Sequence, residues 1–185
     1  MRFLFLDFDG VLNNWDFNAK HGGWALRMSP EGPVPILDPA NVAHLNKIVA
    51  ATGCTIIYST AHRKGKHSTF RCWEALRHAG ATFQRPRWAT PDLAHEAATS
   101  KLIVGASRGS EIADWLVGWL ECPEQHGFRF VVLDDLSDAW PVRPFEDNGL
   151  FIQTRLEEGL TEAQAEKAIA WLLEAPMDDE GTTTP

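Results

Sequence analysis

The chain has 185 residues, 44% of them apolar and 23% charged, with a formal net charge of −8 at pH 7. That length fits one domain with a sizeable core, and the composition is that of a globular protein rather than a fibrous or low-complexity one. The acidic balance argues against non-specific binding to a polyanion, and no apolar run approaches the roughly 18 residues of a membrane span.

Residues 2–7 (RFLFLD) form an apolar run with aromatics, bounded by Gly10, and read as a buried strand rather than as the core of a signal peptide. Residues 13–39 are rich in Asn, Gly, Pro and Trp without a clear period. They read as a long loop or small flap inserted after that strand, and loops of this length are often functional. Asp38 and Pro39 then open a helix with Val42, Leu45, Ile48 and Val49 on one face, and Gly53 ends it. Cys54 to Tyr58 make a second strand, closed by Ser59 and Thr60.

A helix is predicted from about Ser68 to Ala79, stopped by Gly80, with residues 81–84 as a short strand after it. Residues 85–109 are mixed and interrupted by Pro86, Pro91 and Gly109. Ser110 is predicted to cap a helix with Ile112, Ala113, Leu116, Val117 and Leu120 as its apolar positions. Phe128 to Leu133 form a third strong strand, ending in Asp134-Asp135, and Leu150 to Gln153 a fourth. Thr161 and Gln164 have the spacing of a capping box for a last helix running to about Glu174. Residues 176–185 are acidic, small and polar, and read as a disordered tail behind a single domain spanning 1–175.

Strands alternating with helices predict a doubly wound, Rossmann-like α/β domain with a parallel sheet, whose ligands sit at the carboxyl ends of the strands. The reactive residues gather there: Asp7-Phe8-Asp9-Gly10, Ser59-Thr60 and Asp134-Asp135. Alternation along an extended chain puts Asp7 and Asp9 on one side, and Gly10 allows the tight turn that aims them at one point. Two such carboxylates either share a metal or divide into nucleophile and acid/base; the bland alternative is a strand end that carries an N-cap Asp. Cys54, Cys72 and Cys122 are odd in number and widely spaced. They point away from a disulfide framework or zinc site and toward a reducing cytoplasm. The His residues show no ligand spacing.

Charge is uneven along the chain. Between His62 and Arg87, Arg63, Lys64, Lys66, Arg71, Arg77, Arg85 and Arg87 face a single acid, Glu74. The segment reads either as a solvated basic face or as a positive rim beside the active site. Trp73, Trp115 and Trp171 fit core positions, whereas Trp15 and Trp24 in the flap read as loop packing or as stacking partners for a base.

FLFLDFDGVLN resembles the first motif of the haloacid dehalogenase (HAD) superfamily, a hydrophobic strand followed by two aspartates and a glycine. IIYST and VVLDD resemble its second and fourth motifs, in the same order. The run DGVLN, STAHR, RGSEIADWL and VVLDD is similar to the HAD domain of bacterial and phage RNA-repair proteins, with His62 where relatives commonly have Trp. The resemblance implies a HAD-type sheet with at most a small flap and no large cap domain. It implies a Mg²⁺-dependent phosphatase in which Asp7 takes the phosphoryl group and Asp9 protonates the leaving alcohol and then activates water. Ser59, with Thr60 as the alternative, would bind phosphoryl oxygens. The Asp7 carboxylate, the Asp9 backbone carbonyl, Asp134 and Asp135 would hold the metal, and Asp138 would reach it through water. The bridging cation of the third motif falls to Arg108 or Lys101, with spacing and helix position favouring Arg108. Arg63, following the second motif, joins the expected phosphate-binding cations.

Hard oxygen donors at strand ends suit Mg²⁺ better than zinc, and a carboxylate attacks a phosphate dianion only where cations screen the developing charge. The expected substrate is an RNA or DNA terminal phosphate, with a small phosphometabolite or nucleotide as the alternative. No obligate protein partner is evident, and a catalytically silent binding module is the competing class.

Overall fold

The computed structural model describes residues 1–24, 26–63, 68–93, 107–120 and 127–174. Five parallel strands form its sheet: β1 (Arg2–Leu6), β4 (Thr55–Tyr58), β5 (Trp88–Ala89), β6 (Arg129–Asp134) and β7 (Gly149–Gln153), in the order β5-β4-β1-β6-β7. An antiparallel hairpin, β2 (Leu26–Ser29) and β3 (Gly32–Pro35), forms a second small sheet.

β1 is central, so both of its faces need an apolar cover, and alternation sorts them. Leu4 and Leu6 face a layer made by α2 (Pro39–Thr52), α3 (Ser68–His78) and α5 (Glu162–Leu173), through Val42, Leu45, Ile48, Leu76, Ala165 and Leu172. Phe3 and Phe5 face α4 (Arg108–Leu120), where Trp115 meets them edge-on with centroids at 5.3 and 5.5 Å. Each fully buried Leu or Phe contributes roughly 1.5–3 kcal/mol, so this strand is held hard from both sides. Among the described residues no helix is long and apolar enough to cross a membrane.

The helix signals read in the sequence hold at several ends. Asp38 accepts from Ala40 N, Gly53 closes α2 at φ 62°, and Thr161 with Gln164 forms the reciprocal capping box. Two expectations are corrected. Residues 81–84 form no strand: Ala81 N–H closes the C-terminus of α3 on Leu76 O (3.0 Å) and Thr82 N–H goes to Asn46 Oδ1 (3.0 Å). The ladder partner of β4 is instead Trp88–Ala89. Ser110 lies inside the first turn of α4, and its N–H is capped by Ser107 Oγ at 3.2 Å.

The segment after β1 is more ordered than a loop. Asn14 caps a short helix, α1 (Trp15–Lys20), and is itself tied to Asp38 (2.9 Å) and Asn41 (3.4 Å) at the start of α2. β3 packs against α3 with Val34 buried, while Trp15 and Trp24 stay 56% and 46% exposed rather than packing the flap.

Candidate active site

β1 pairs in register with β4 and β6, Leu6 lying opposite both Tyr58 and Leu133. The next residues of the three strands, Asp7, Ser59 and Asp134, therefore emerge side by side at the carboxyl edge. Two further bonds carry the pairing past the strand ends, from Asp7 N to Leu133 O (3.0 Å) and from Ser59 N to Leu6 O (2.9 Å).

Asp7 is 5% exposed, and its Oδ1 accepts from the Phe8 amide at 2.7 Å. Burial pushes its carboxyl above the ordinary range, against the pull of Arg108, the Phe8 amide and a hydrogen bond from Thr60. Phe8 points into the core, and Gly10 turns the chain at φ 70°. A Cβ on Gly10 would lie 2.6 Å from Asp135 Cβ, so only glycine lets this turn close onto the acidic pair. Thr154, just past β7, pins the turn by donating to Gly10 O at 2.7 Å.

Asp7, Asp134 and Asp135 each offer an oxygen within 4.8 Å of the others. Asp134 Oδ1 accepts from Leu136 N at 2.9 Å, but its Oδ2 is buried with no hydrogen-bond partner among the described residues. Burial first, and the Asp7 charge second, push Asp134 up to about 7; burial also raises Asp135. Three crowded carboxylates with an orphaned buried oxygen fit a hard divalent cation such as Mg²⁺, which would relieve both the repulsion and the missing contact. Asp138 lies exposed in the following turn (Ser137–Ala139), outside this cluster.

The Asp9 carboxylate also stands outside it. Its Oδ1 accepts from Asn13 Nδ2 at 2.9 Å, and His62 Nε2 lies 3.1 and 3.3 Å from its two oxygens. Burial would raise this carboxyl, but the hydrogen bonds from His62 and Asn13 outweigh it and hold the group below the ordinary range. Two aspartates two residues apart are thus driven in opposite directions by their surroundings.

Arg108 opens α4 with its Nη2 3.8 Å from Asp7 Oδ2 and its Nε 4.0 Å from Asp134 Oδ2. Among the described residues its buried Nη1 has no partner, nor has Ser59 Oγ, so two donors lie beside Asp7 with hydrogen bonds unmade there. Gly109 lets the helix start so close, since a Cβ there would lie 2.6 Å from Pro141 O. Lys101, the competing cation, falls outside the described residues, as do Lys64 and Lys66.

Arg63 is a correction. Its guanidinium is buried and spent on the carbonyls of Thr60 (2.7 Å), Thr90 (3.0 Å) and Pro91 (2.9 Å) and on the Glu111 carboxylate. It braces the loop after β4, with four of its five N–H hydrogens committed to the fold. Three further described members of the basic run lie elsewhere: Arg77 pairs with Glu74 at 3.1 Å, while Arg85 and Arg87 line a groove with Gly53, Cys54 and Thr55 at the opposite edge of the sheet.

Sequence reading passed over Asn13 and Glu111 and noted His62 only as a departure from relatives. Glu111 carried a signal, standing three residues after Arg108 in the first turn of a predicted helix.

A family model described as the HAD domain in Swiss Army Knife RNA repair proteins matches residues 3–165. No curated protein and no solved structure matches the chain. The match spans most of the chain, which therefore belongs to this HAD family, one of phosphatase-type hydrolases.

Proposed function

We propose that this chain is a Mg²⁺-dependent phosphomonoesterase that works through an aspartyl-phosphate on Asp7 and acts on the terminal phosphate of a nucleic acid. One observation carries the chemistry: Asp7 lies between an orphaned donor set, Ser59 Oγ and Arg108 Nη1, and an acidic cluster whose Asp134 Oδ2 is likewise unpartnered. Buried groups left unsatisfied cost stability and persist where a ligand completes them. A silent binding module gains nothing from keeping three mutually repelling carboxylates.

Asp7 attacks phosphorus, its Oδ forming the new P–O bond as the ester oxygen leaves. Asp9 enters this step in its protonated form and gives that proton to the leaving oxygen; the carboxylate so formed then takes a proton from the water that cleaves the acyl phosphate, which regenerates Asp7 and restores the Asp9 acid. Ser59 and Arg108 hold the phosphoryl oxygens, Arg108 with the fork geometry suited to them. Asp7, Asp134, Asp135 and the Asp9 carbonyl would hold Mg²⁺, which would neutralise charge on the dianion.

The substrate class rests on the family's occurrence in RNA repair proteins and on the flap, which leaves Trp15 and Trp24 exposed for stacking. The commitment of Arg63 and Arg77 to the fold, and the place of Arg85 and Arg87 at the far end of the sheet, favour the second reading, a small phosphometabolite or nucleotide, because they leave a long strand fewer cations for its backbone. Comparing kcat/KM across 3′- and 5′-phosphorylated oligonucleotides, mononucleotides and sugar phosphates, with and without Mg²⁺, decides between them. A preference of at least about tenfold for an oligonucleotide end supports the nucleic-acid reading, and a preference for a small ester replaces it.

A further inference from the structure

Asp9 has one more contact than its proposed chemistry uses. Its side chain is 47% exposed, so nothing in the packing fixes its rotamer, yet both of its oxygens face the His62 ring. In the ionised form that activates water, the Asp9 carboxylate only accepts, and His62 Nε2 then carries the hydrogen of this contact. The ring is itself held. It tilts at 35° against buried Phe8, with centroids 6.0 Å apart, and the His62 amide donates to Thr60 Oγ1 at 3.3 Å.

The loop beneath is braced by Arg63, whose buried guanidinium joins Thr60, Thr90, Pro91 and Glu111 of α4. One short turn, Ala61–Arg63 with the Thr60 before it, thus acts on both aspartates: the Thr60 hydroxyl favours the ionised form of Asp7, and His62 Nε2 contacts both oxygens of Asp9.

We propose that His62 is a positioning residue that holds the Asp9 carboxylate in the rotamer from which it exchanges a proton with the reacting oxygen. This rests on the phosphatase reading above. Proton transfer requires hydrogen-bond reach, and a displacement of about 1 Å in such a group costs on the order of 10²-fold in rate. Asn13 secures one oxygen of Asp9; His62 spans both and so fixes the plane of the carboxylate.

The test uses His62→Ala and His62→Gln, with kcat/KM measured on an alkyl phosphate and on nitrophenyl phosphate, and Tm measured in parallel. His62→Ala is expected to lower kcat/KM on the alkyl ester by roughly 10- to 100-fold. On nitrophenyl phosphate, whose leaving group departs without a proton, the loss is expected to stay below about threefold. His62→Gln returns a neutral amide donor and is expected to recover most of the alkyl-ester rate with KM close to wild type. Equal losses on both esters, or no recovery by Gln, would make His62 structural or charge-based and overturn the proposal. A wild-type protein inactive on every ester removes the phosphatase reading and this role together, whereas an active wild type matched by His62→Ala removes this role alone.

Discussion

At the amino end of the sheet, Arg2 donates to Leu172 O (2.6 Å) and Thr52 O (3.1 Å), joining the last turns of α5 and α2. Beside it, Arg129 pairs with Glu174 at 3.2 Å and lies over Trp171 at 4.3 Å. At the carboxyl end of the same strands, Ser59 Oγ, Arg108 Nη1 and Asp134 Oδ2 are buried with no partner among the described residues, and Arg108 stands 3.8 Å from Asp7. The difference teaches where binding energy is held in reserve. Charge at one end is spent on the fold, ending helices whose C-terminal carbonyls favour a cation. Charge at the other end is held against its own stability for something that arrives from outside.

The sharpest way to break this contrast is to remove the proposed nucleophile. Asp7→Asn is expected to lower turnover by roughly 10⁴-fold or more with the fold unchanged, since it deletes the attacking oxygen at constant volume. Retention of more than a few per cent of kcat on nitrophenyl phosphate would end the assignment. Asp9→Asn is expected to cost roughly 10²–10⁴-fold, and less in kcat/KM on nitrophenyl phosphate than on an alkyl ester. Equal loss on both esters would reduce Asp9 to metal geometry.

The next effect is on stability. In the metal-free protein Asp134 sits near 7 rather than at the ordinary 3.8, so between those values the folded state holds a proton that the unfolded chain has released. Stability therefore falls as pH rises from about 4 to 7, and Asp7 and Asp135, raised by burial, add in the same direction. Saturating Mg²⁺ is expected to raise Tm more at pH 8 than at pH 5. Asp134→Asn should raise the metal-free Tm at pH 8, by about 2–4 °C for each kcal/mol of repulsion relieved, and abolish the Mg²⁺ increment. A thermal scan series in which Tm is flat with pH and blind to Mg²⁺ contradicts both the cluster's cost and its purpose.

The amino end should answer the opposite way. Arg2→Met removes two bonds to helix C-termini and is expected to cost about 1–3 kcal/mol in chemical denaturation. Its kcat should stay within about twofold of wild type, because Arg2 lies a strand's length from Asp7. A kinetic defect at unchanged stability would erase the division between the two ends.

What the sequence revealed follows the same division. The strand ends carrying Asp7, Ser59 and Asp134 were legible because buried parallel strands are short apolar runs and Gly10 and the acidic pairs punctuate them. Asp38 and Thr161 were legible because a cap bonds residues two or three positions away. The errors lie where the deciding partner is remote in sequence. Arg63 looked like a phosphate ligand until Glu111, Thr90 and Pro91 claimed it, and residues 81–84 looked like a strand until Asn46 took the Thr82 amide. His62 met Asp9 across a gap of 53 residues that no local pattern bridges. The hairpin of the flap was hidden because Pro33 and Pro35 read as breakers, yet a two-stranded sheet leaves them an edge on which no amide is needed.

The smallest expected effect tests how far the substrate extends from the carboxyl edge. Arg85 and Arg87 belong to the same basic run in sequence as Arg63, but they line a groove with Gly53, Cys54 and Thr55, where β4 begins rather than where it ends. Arg85 also lies over the Phe70 ring at 5.0 Å, a contact worth about 0.5–1 kcal/mol at an exposed site. Each phosphate neutralised by a cation adds to the salt dependence of nucleic-acid binding, so a residue that touches no phosphate leaves the slope alone. The double variant Arg85→Ala/Arg87→Ala is therefore expected to keep the oligonucleotide KM within about twofold and its dependence on salt unchanged, with a small drop in Tm. A flatter slope would mean that the strand runs around the β5 edge to the far end of the sheet. The amino end would then be more than scaffold, and the site would extend well beyond the three strand ends that carry its chemistry.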